Sequence, residues 1–263
     1  MDSHTHFEHW RALHPSLGLT RTHTPAPYGI SRFAPGRTPP RMPEIDLFDR
    51  SDPAPRIRIG RARFRDVGSF VDLLSLVNPG HPVPPLVLTV LALRPGRLTH
   101  GDCLCLIARS GDRVVGALMA SPPRWTDTHP LRSSLVRSVL YIGGVAVASG
   151  HRSRGIATGL LNMAEQHGRH AGLRLLTLEH PPAMTEFYTR LGYSAGQERL
   201  IVALPGPALQ ERKKPGHLSA VKRLGLGVGL ATVPGAPAAI VTDLLRGCSL
   251  PPSARYRNGR LVT

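Results

Sequence analysis

Cysteine, lysine and aromatic residues are all scarce in this chain. Three cysteines in 263 residues form no even set, so a disulfide framework is excluded as the organising principle. Cys103 and Cys105 stand two apart on a segment that reads as a strand, which puts both on one face. With no second pair to complete a ligand set they read as apolar filler, and no metal is expected. Only three of the 33 basic residues are lysine, at positions 213, 214 and 222. So strong a lean to arginine, beside much alanine, proline and glycine, is what GC-rich coding produces, and it weakens any step from charge to a polyanionic partner. Aromatics make up 5% and form no extended stripe interleaved with basic residues, so no specific nucleic-acid surface is expected. Neither G-x-G-x-x-G nor G-x-x-x-x-G-K-[S/T] occurs, which excludes the two commonest nucleotide loops. The first residues, Met1-Asp-Ser-His-Thr-His, carry no basic-then-apolar leader, so a reducing cytoplasm is the expected compartment. An uncharged run, Leu224–Thr242, is interrupted by Gly225, Gly227, Gly229, Pro234 and Pro237, and a membrane span is not expected there.

The net charge of +16 is unevenly spread. Residues 1–55 balance six arginines against six acids, contain nine prolines and show no sustained period. They read as a disordered extension. Residues 56–204 carry 18 arginines against nine acids, and this middle part reads as the folded domain. Residues 205–263 carry nine basic residues against two acids and read as a basic, Gly/Pro-rich C-terminal extension.

Within 56–204 the periodicity is informative. Arg56–Ala62 alternates as a first strand, and a helix capped by Asp66 or Ser69 buries Phe70, Leu73, Leu74 and Val77. Leu86–Leu93 is a second apolar segment, of helix or strand type. Asp102–Arg109 and Arg113–Ser121 read as a hairpin around Ser110-Gly111-Asp112. Ser138–Val147 is a strand, Gly155–Ala171 a helix with Ile156, Leu160, Met163, Ala164 and His167 on one face, and Leu173–Leu178 a strand. Met184–Leu191 is a short helix and Tyr193–Leu204 a final strand or strand pair. The order implies a mixed α/β domain with a central sheet flanked by helices.

The strand ending Val145-Ala146-Val147 feeds Arg152-Ser153-Arg154-Gly155-Ile156-Ala157-Thr158 at the start of that long helix. A first helical turn has unpaired N–H groups and the positive end of the dipole. Glycine there permits close approach of a phosphate, and two guanidinium forks suit its oxygens. Residues 145–147 and 152–158 are therefore the candidate holders of a diphosphate-containing ligand.

Arg152, Gly155 and Ala157 match the [Q/R]-x-x-G-x-[G/A] loop of the Gcn5-related N-acetyltransferase (GNAT) superfamily, and Phe187-Tyr188-Thr-Arg-Leu-Gly192-Tyr193 resembles its F-Y-x-x-x-G-[F/Y] signature. The resemblance covers roughly residues 56–204. It implies the acetyltransferase fold, with a V-shaped sheet whose fourth and fifth strands, Ser138–Val147 and Leu173–Leu178, splay apart. It further implies acetyl-CoA as cosubstrate, with pantetheine on the main chain of Val145 and Val147, the diphosphate on 152–158, and Tyr188 as proton donor to the leaving thiolate. The expected activity is direct transfer of acetyl to a primary amine of a small molecule or protein. The alternative is a noncatalytic acyl-CoA-binding domain whose basic tails engage a partner or a nucleic acid. The chain departs from the pattern in several places. Where the family often has a Glu, Tyr141 stands, which leaves Glu179 and His180 as candidate bases beside the reading of a plain polar loop. Pro181 and Met184 stand roughly where it often has an Asn and an Ala, and Gly143-Gly144 in the fourth strand is unusual, since glycine in a strand often marks a bulge. Trp125 is a candidate for lining the acceptor pocket or for ordinary packing, and neither the acceptor nor the oligomeric state is legible.

Overall fold

Hydrophobic alternation and one long amphipathic helix arrange the chain, in a computed structural model, around a mixed eight-stranded sheet. The structure describes residues 45–46, 56–77, 103–205, 208–212, 214–258 and 260–262, all within one compact unit, Pro43–Thr263. The readings of residues 1–44, 47–55 and Leu86–Leu93 lie outside the described residues. Among the described residues no helix is long and apolar enough to cross a membrane.

The strands are β1 (Ile45–Asp46), β2 (Ile57–Arg61), β3 (Leu104–Ser110), β4 (Arg113–Ser121), β5 (Val139–Val147), β6 (Leu175–His180), β7 (Ser194–Gln197), β8 (Arg199–Val202), β9 (Leu209–Arg212), β10 (Leu218–Arg223), β11 (Gly229–Ala231), β12 (Ile240–Thr242), β13 (Arg255–Arg257) and β14 (Arg260–Val262). The α-helices are α1 (Val67–Ser75), α2 (Arg132–Leu135), α3 (Ile156–His170) and α4 (Thr185–Arg190). The main sheet runs β1-β2-β3-β4-β5-β6-β10-β7. All its pairings are antiparallel except β5 with β6, which is parallel. Such a parallel pair needs a crossover, and α3 supplies it.

One face of the sheet is covered by α3. Ile156, Leu160, Met163 and Ala164 are buried there against Ile59, Leu106, Leu118, Leu140, Ile142 and Leu178. The burial of Ile156, Leu160 and Met163, each stabilising by roughly 1.5–3 kcal/mol, is what fixes the helix on the sheet. On the other face α1 packs Phe70, Leu73 and Leu74 on Cys105, Ile107, Ala117 and Ala146. Val77, expected in that apolar face, lies in the turn after the helix ends and is exposed. The capping role expected of Asp66 is altered, since its carboxylate accepts from the Arg63 N–H and pairs with Arg109.

Beside α1 on that second face lies a four-stranded sheet, β11-β12-β8-β9. Leu200, Val202 and Val241 from this sheet share a buried cluster with Val139, Leu175 and Val221 from the main one. The stretch Tyr193–Leu204 is thus two strands in different sheets, β7 in the main sheet and β8 in the smaller one. The uncharged run from Leu224 carries β11 and β12, whose Ile240, Val241 and Thr242 are buried. The main sheet also draws in residues beyond 204, because β10 lies between β6 and β7.

Candidate active site

The site begins where β5 and β6 part. Their pairing runs from Val139↔Leu175 to Ile142↔Leu178 and goes no further, although β5 continues to Val147. On its other side β5 stays paired with β4 through Gly116↔Val147, with a register shift between Met119 and Ala120. Met119 faces Gly144 while Ala120 faces Ile142, so Gly143 is the extra residue of a bulge. The bulge flips the alternation and turns the second half of β5 away from β6. That is the expected splay, and it follows from two glycines in a strand.

Main-chain direction in the splayed half is fixed by one bond. The Ala148 N–H donates to the Val115 carbonyl at 2.9 Å, so residue 148 faces β4. By strand alternation Ala146 also faces β4, while the N–H and C=O of Val145 and Val147 face the gap. The side chains of Val145 and Val147 pack on the α3-side core. Arg152 Nε donates to the Val147 carbonyl at 3.3 Å, tying the loop back to the open edge.

The loop then turns through two left-handed residues, Ser153 at φ 60° and Gly155 at φ 72°. The first is strained for a side-chain-bearing residue, by roughly 1 kcal/mol, and such outliers cluster at ligand clamps. Gly155 is the residue before α3, with no side-chain cap and no acid in the first turn. The first α3-type bond is Gly159 N–H to Gly155 C=O at 2.9 Å, which leaves the amides of Ile156, Ala157 and Thr158 without an intrahelical acceptor. A Cβ placed on Gly155 would meet nothing within 4 Å. Open space, orphan amides and two nearby arginines fit a diphosphate, and the adjoining free edge fits a chain of amides such as pantetheine.

Tyr188 is on α4 and is buried, its ring 5.1 Å from that of His180, 5.1 Å from Phe187 and 5.6 Å from Tyr193. Burial pushes its phenol up to about 12. Glu179 and His180, expected to follow β6, lie inside it, because β10 pairs with them through Ser219↔Glu179 and Leu218↔His180. Strand alternation therefore sends them to opposite faces. His180 is on the Tyr188 side; its Nδ1–H donates to the Pro181 carbonyl at 2.8 Å and its buried Nε2 has no partner among the described residues. Glu179 is on the Tyr141 side and accepts from the Lys214 main-chain N–H at 3.3 Å. The two do not form one site. Trp125 packs against the apolar cluster shared by the two sheets.

One residue that sequence reading missed, Glu211, belongs to the Tyr141 side. Burial first, and the Glu179 charge second, raise its carboxyl to about 7. Burial raises the phenol of Tyr141 too, followed by the charges of Glu179 and Glu211, with Arg124 pulling the other way. No local pattern marks Glu211; only the register of β9 brings it there. Among the described residues no group of three or more potential metal ligands occurs.

Residues 71–193 match the sequence model of the acetyltransferase (GNAT) family. The resemblance in the Arg152 and Phe187 motifs is borne out by that match. A search of curated proteins found none that matches. Among solved structures the chain is similar to YncA from Salmonella typhimurium, whose structure contains acetyl-CoA, at 14% identity and TM-score 0.48, over 66% of this chain and 96% of that one. It is also similar to an acetyltransferase of the GNAT family from Streptococcus pneumoniae at 15% identity and TM-score 0.47, over 64% and 99%. A third likeness is the GNAT domain of S. lividans PAT, at 18% identity and TM-score 0.46, over 68% and 96%.

Proposed function

We propose that this chain transfers an acetyl group from acetyl-CoA to a primary amine of a small molecule or protein, by direct attack in a ternary complex. The observation that carries the reading is the end of β5–β6 pairing at Ile142↔Leu178, which opens an edge leading straight to the Gly155-capped helix. Val145 and Val147 would bind pantetheine amides as an added strand does. The amides of residues 153–158 would take the diphosphate, with Arg152 and Arg154 as countercharges. Ala146 faces its main-chain groups to β4 and would act only by holding its neighbours in place.

Acetyl-CoA would supply an acyl group activated as a thioester. Tyr188 is the proton donor in this reading. Its phenol, raised to about 12, stays protonated at neutral pH, well above a thiol at ~8.5. Full proton transfer to sulfur is then uphill, so Tyr188 acts chiefly by a hydrogen bond that strengthens as charge builds on the leaving sulfur. Calorimetry with acetyl-CoA, then thiol release across panels of amines, aminoglycosides and peptides, tests the reading. No coenzyme heat with folded protein would end it.

A noncatalytic acyl-CoA-binding domain is the second reading, favoured by Tyr141 in the place of a carboxylate. Tyr188→Phe separates the two. Lost turnover with intact coenzyme binding supports the enzyme.

A further inference from the structure

The hairpin β8–β9 carries a row of side chains toward the main sheet that is apolar with one exception. Leu200 and Val202 are buried against Val139, Leu175 and Val221, and Leu209 packs on the same cluster. Cross-strand partners share a face, and the partners here are Val202↔Leu209 and Leu200↔Glu211. Glu211 therefore points at the sheet, the one charge in an inward row of leucine and valine. Packing gives no reason for a carboxylate there.

What it faces changes character along the sheet. At one end the receiving row is Val139, Leu175 and Val221. At the other it is Tyr141, Thr177 and Glu179, with Tyr141 directly paired to Thr177. Those three alternate with the side chains that pack on α3, so they lie on the hairpin side. Thr177 is 3% exposed, and its hydroxyl has no hydrogen-bond partner among the described residues. A buried, unanswered hydroxyl costs about 1–3 kcal/mol, which a polar ligand group would recover. This polar end of the row stands level with Ile142↔Leu178, the point where the sheet opens.

From this placement we infer that Glu211, with Glu179, receives the amine of the acceptor as its ammonium form, and that Glu211 takes the proton the nitrogen must lose before attack. The inference rests on the acetyl-transfer reading above. The ammonium gives one proton to the Glu211 carboxylate and keeps its electron pair. That pair forms the bond to the acyl carbon while the carbon–sulfur pair leaves with sulfur. The nitrogen then sheds a second proton, the sulfur, hydrogen-bonded by Tyr188, ends as thiol, and one proton in net goes to solvent. A carboxyl raised to about 7 suits such a base at neutral pH. Ionisable groups acting on this pocket are Glu179 and Tyr141, with Arg124 acting on Tyr141.

The test uses full-length protein with side-chain 13C-labelled glutamate, saturated with coenzyme A, and butylammonium as probe. A carboxyl resonance missing in Glu211→Gln should titrate near 7, and butylammonium should move its midpoint down in pH. Glu179→Gln should also move it down, since a neighbouring negative charge is removed. With butylamine as acceptor, Glu211→Gln should lose at least tenfold in kcat at neutral pH, and Glu211→Asp should recover part of it. A resonance titrating in the ordinary carboxylate range, or one unmoved by the probe, overturns the assignment. An intact coenzyme isotherm beside such a result overturns Glu211 alone, whereas absent coenzyme binding overturns the acetyl-transfer reading with it.

Discussion

Replacing Gly155 by alanine separates the fold from the grip on the coenzyme. The added Cβ would meet nothing within 4 Å, so the cost to the folded protein is conformational only. Gly155 has φ 72°, and holding alanine there costs about 1 kcal/mol. For a domain of this size that lowers Tm by roughly 2–4 °C. The open space that makes the change cheap for the fold is the space a diphosphate must enter. A methyl group there holds the oxygens off the amides of Ile156 to Thr158, and each charge-assisted bond lost costs about 1.5–3 kcal/mol. At 1.4 kcal/mol per decade, one lost bond weakens the coenzyme by about 10–100-fold. Gly155→Asn is the sharper control, because asparagine tolerates the left-handed region and should keep most of the Tm while losing the coenzyme equally. Scanning calorimetry gives the first quantity and titration calorimetry with CoA the second. If both variants bind CoA within twofold of the parent while remaining folded, the loop does not hold the diphosphate.

Other perturbations check the surroundings of the site. Tyr188→Phe should leave Tm and CoA affinity nearly unchanged and lower thiol release by roughly 100-fold or more, the scale of a lost acid–base partner. Lys222→Met strands the Glu165 carboxylate, since the lysine pairs with it and donates to the Leu191 carbonyl. That loss should cost about 3–5 kcal/mol in urea denaturation, whereas Lys222→Met with Glu165→Leu should regain most of it. Burial first, then the charges of Arg61 and His170, lower His167 to about 4 from the usual 6.5. The unfolded chain takes up this proton first, so the stabilisation is complete above pH 6.5 and is lost as pH falls toward 4. The gap bounds the effect at about 3 kcal/mol, and His167→Gln should flatten the stability profile in that window.

Several elements were legible because their signals are local. The α3 face from Ile156 to His167 repeats every three to four residues and is buried as expected. The β3–β4 hairpin turns at Gly111, whose φ of 60° the sequence position anticipates. Gly143 marked the bulge because a glycine in a strand has few other uses. The end of β6 was misplaced because Glu179 and His180 look like loop residues, and only pairing to β10 makes them strand. Val77 was misassigned since the period of α1 continues past the point where its backbone bonds stop. The pattern in both misses is one of partners: a strand end or helix end is set by what it pairs with, and that partner can be tens of residues away.

The strand β10 is the strongest case of this kind, and it explains why the acid at 211 escaped notice. Leu218–Arg223 sits inside the sheet between β6 and β7, yet its sequence, LSAVKR, carries a lysine that belongs on a surface. The lysine is tolerable only because α3 offers Glu165, 57 residues earlier, and the end of α4 offers the Leu191 carbonyl. Neither partner can be inferred from a window around 222. Once β10 is placed beside β6, the chain from β7 must leave the main sheet and return, and β8–β9 is that excursion. Its apolar row has to cover Val139, Leu175 and Val221, which fixes its register over them. With Leu200 and Val202 so held, Leu200↔Glu211 leaves the carboxylate no direction but toward the sheet. The charge near the opening of β5 and β6 is thus a consequence of nonlocal pairing, readable only after the last strand of the sheet is known.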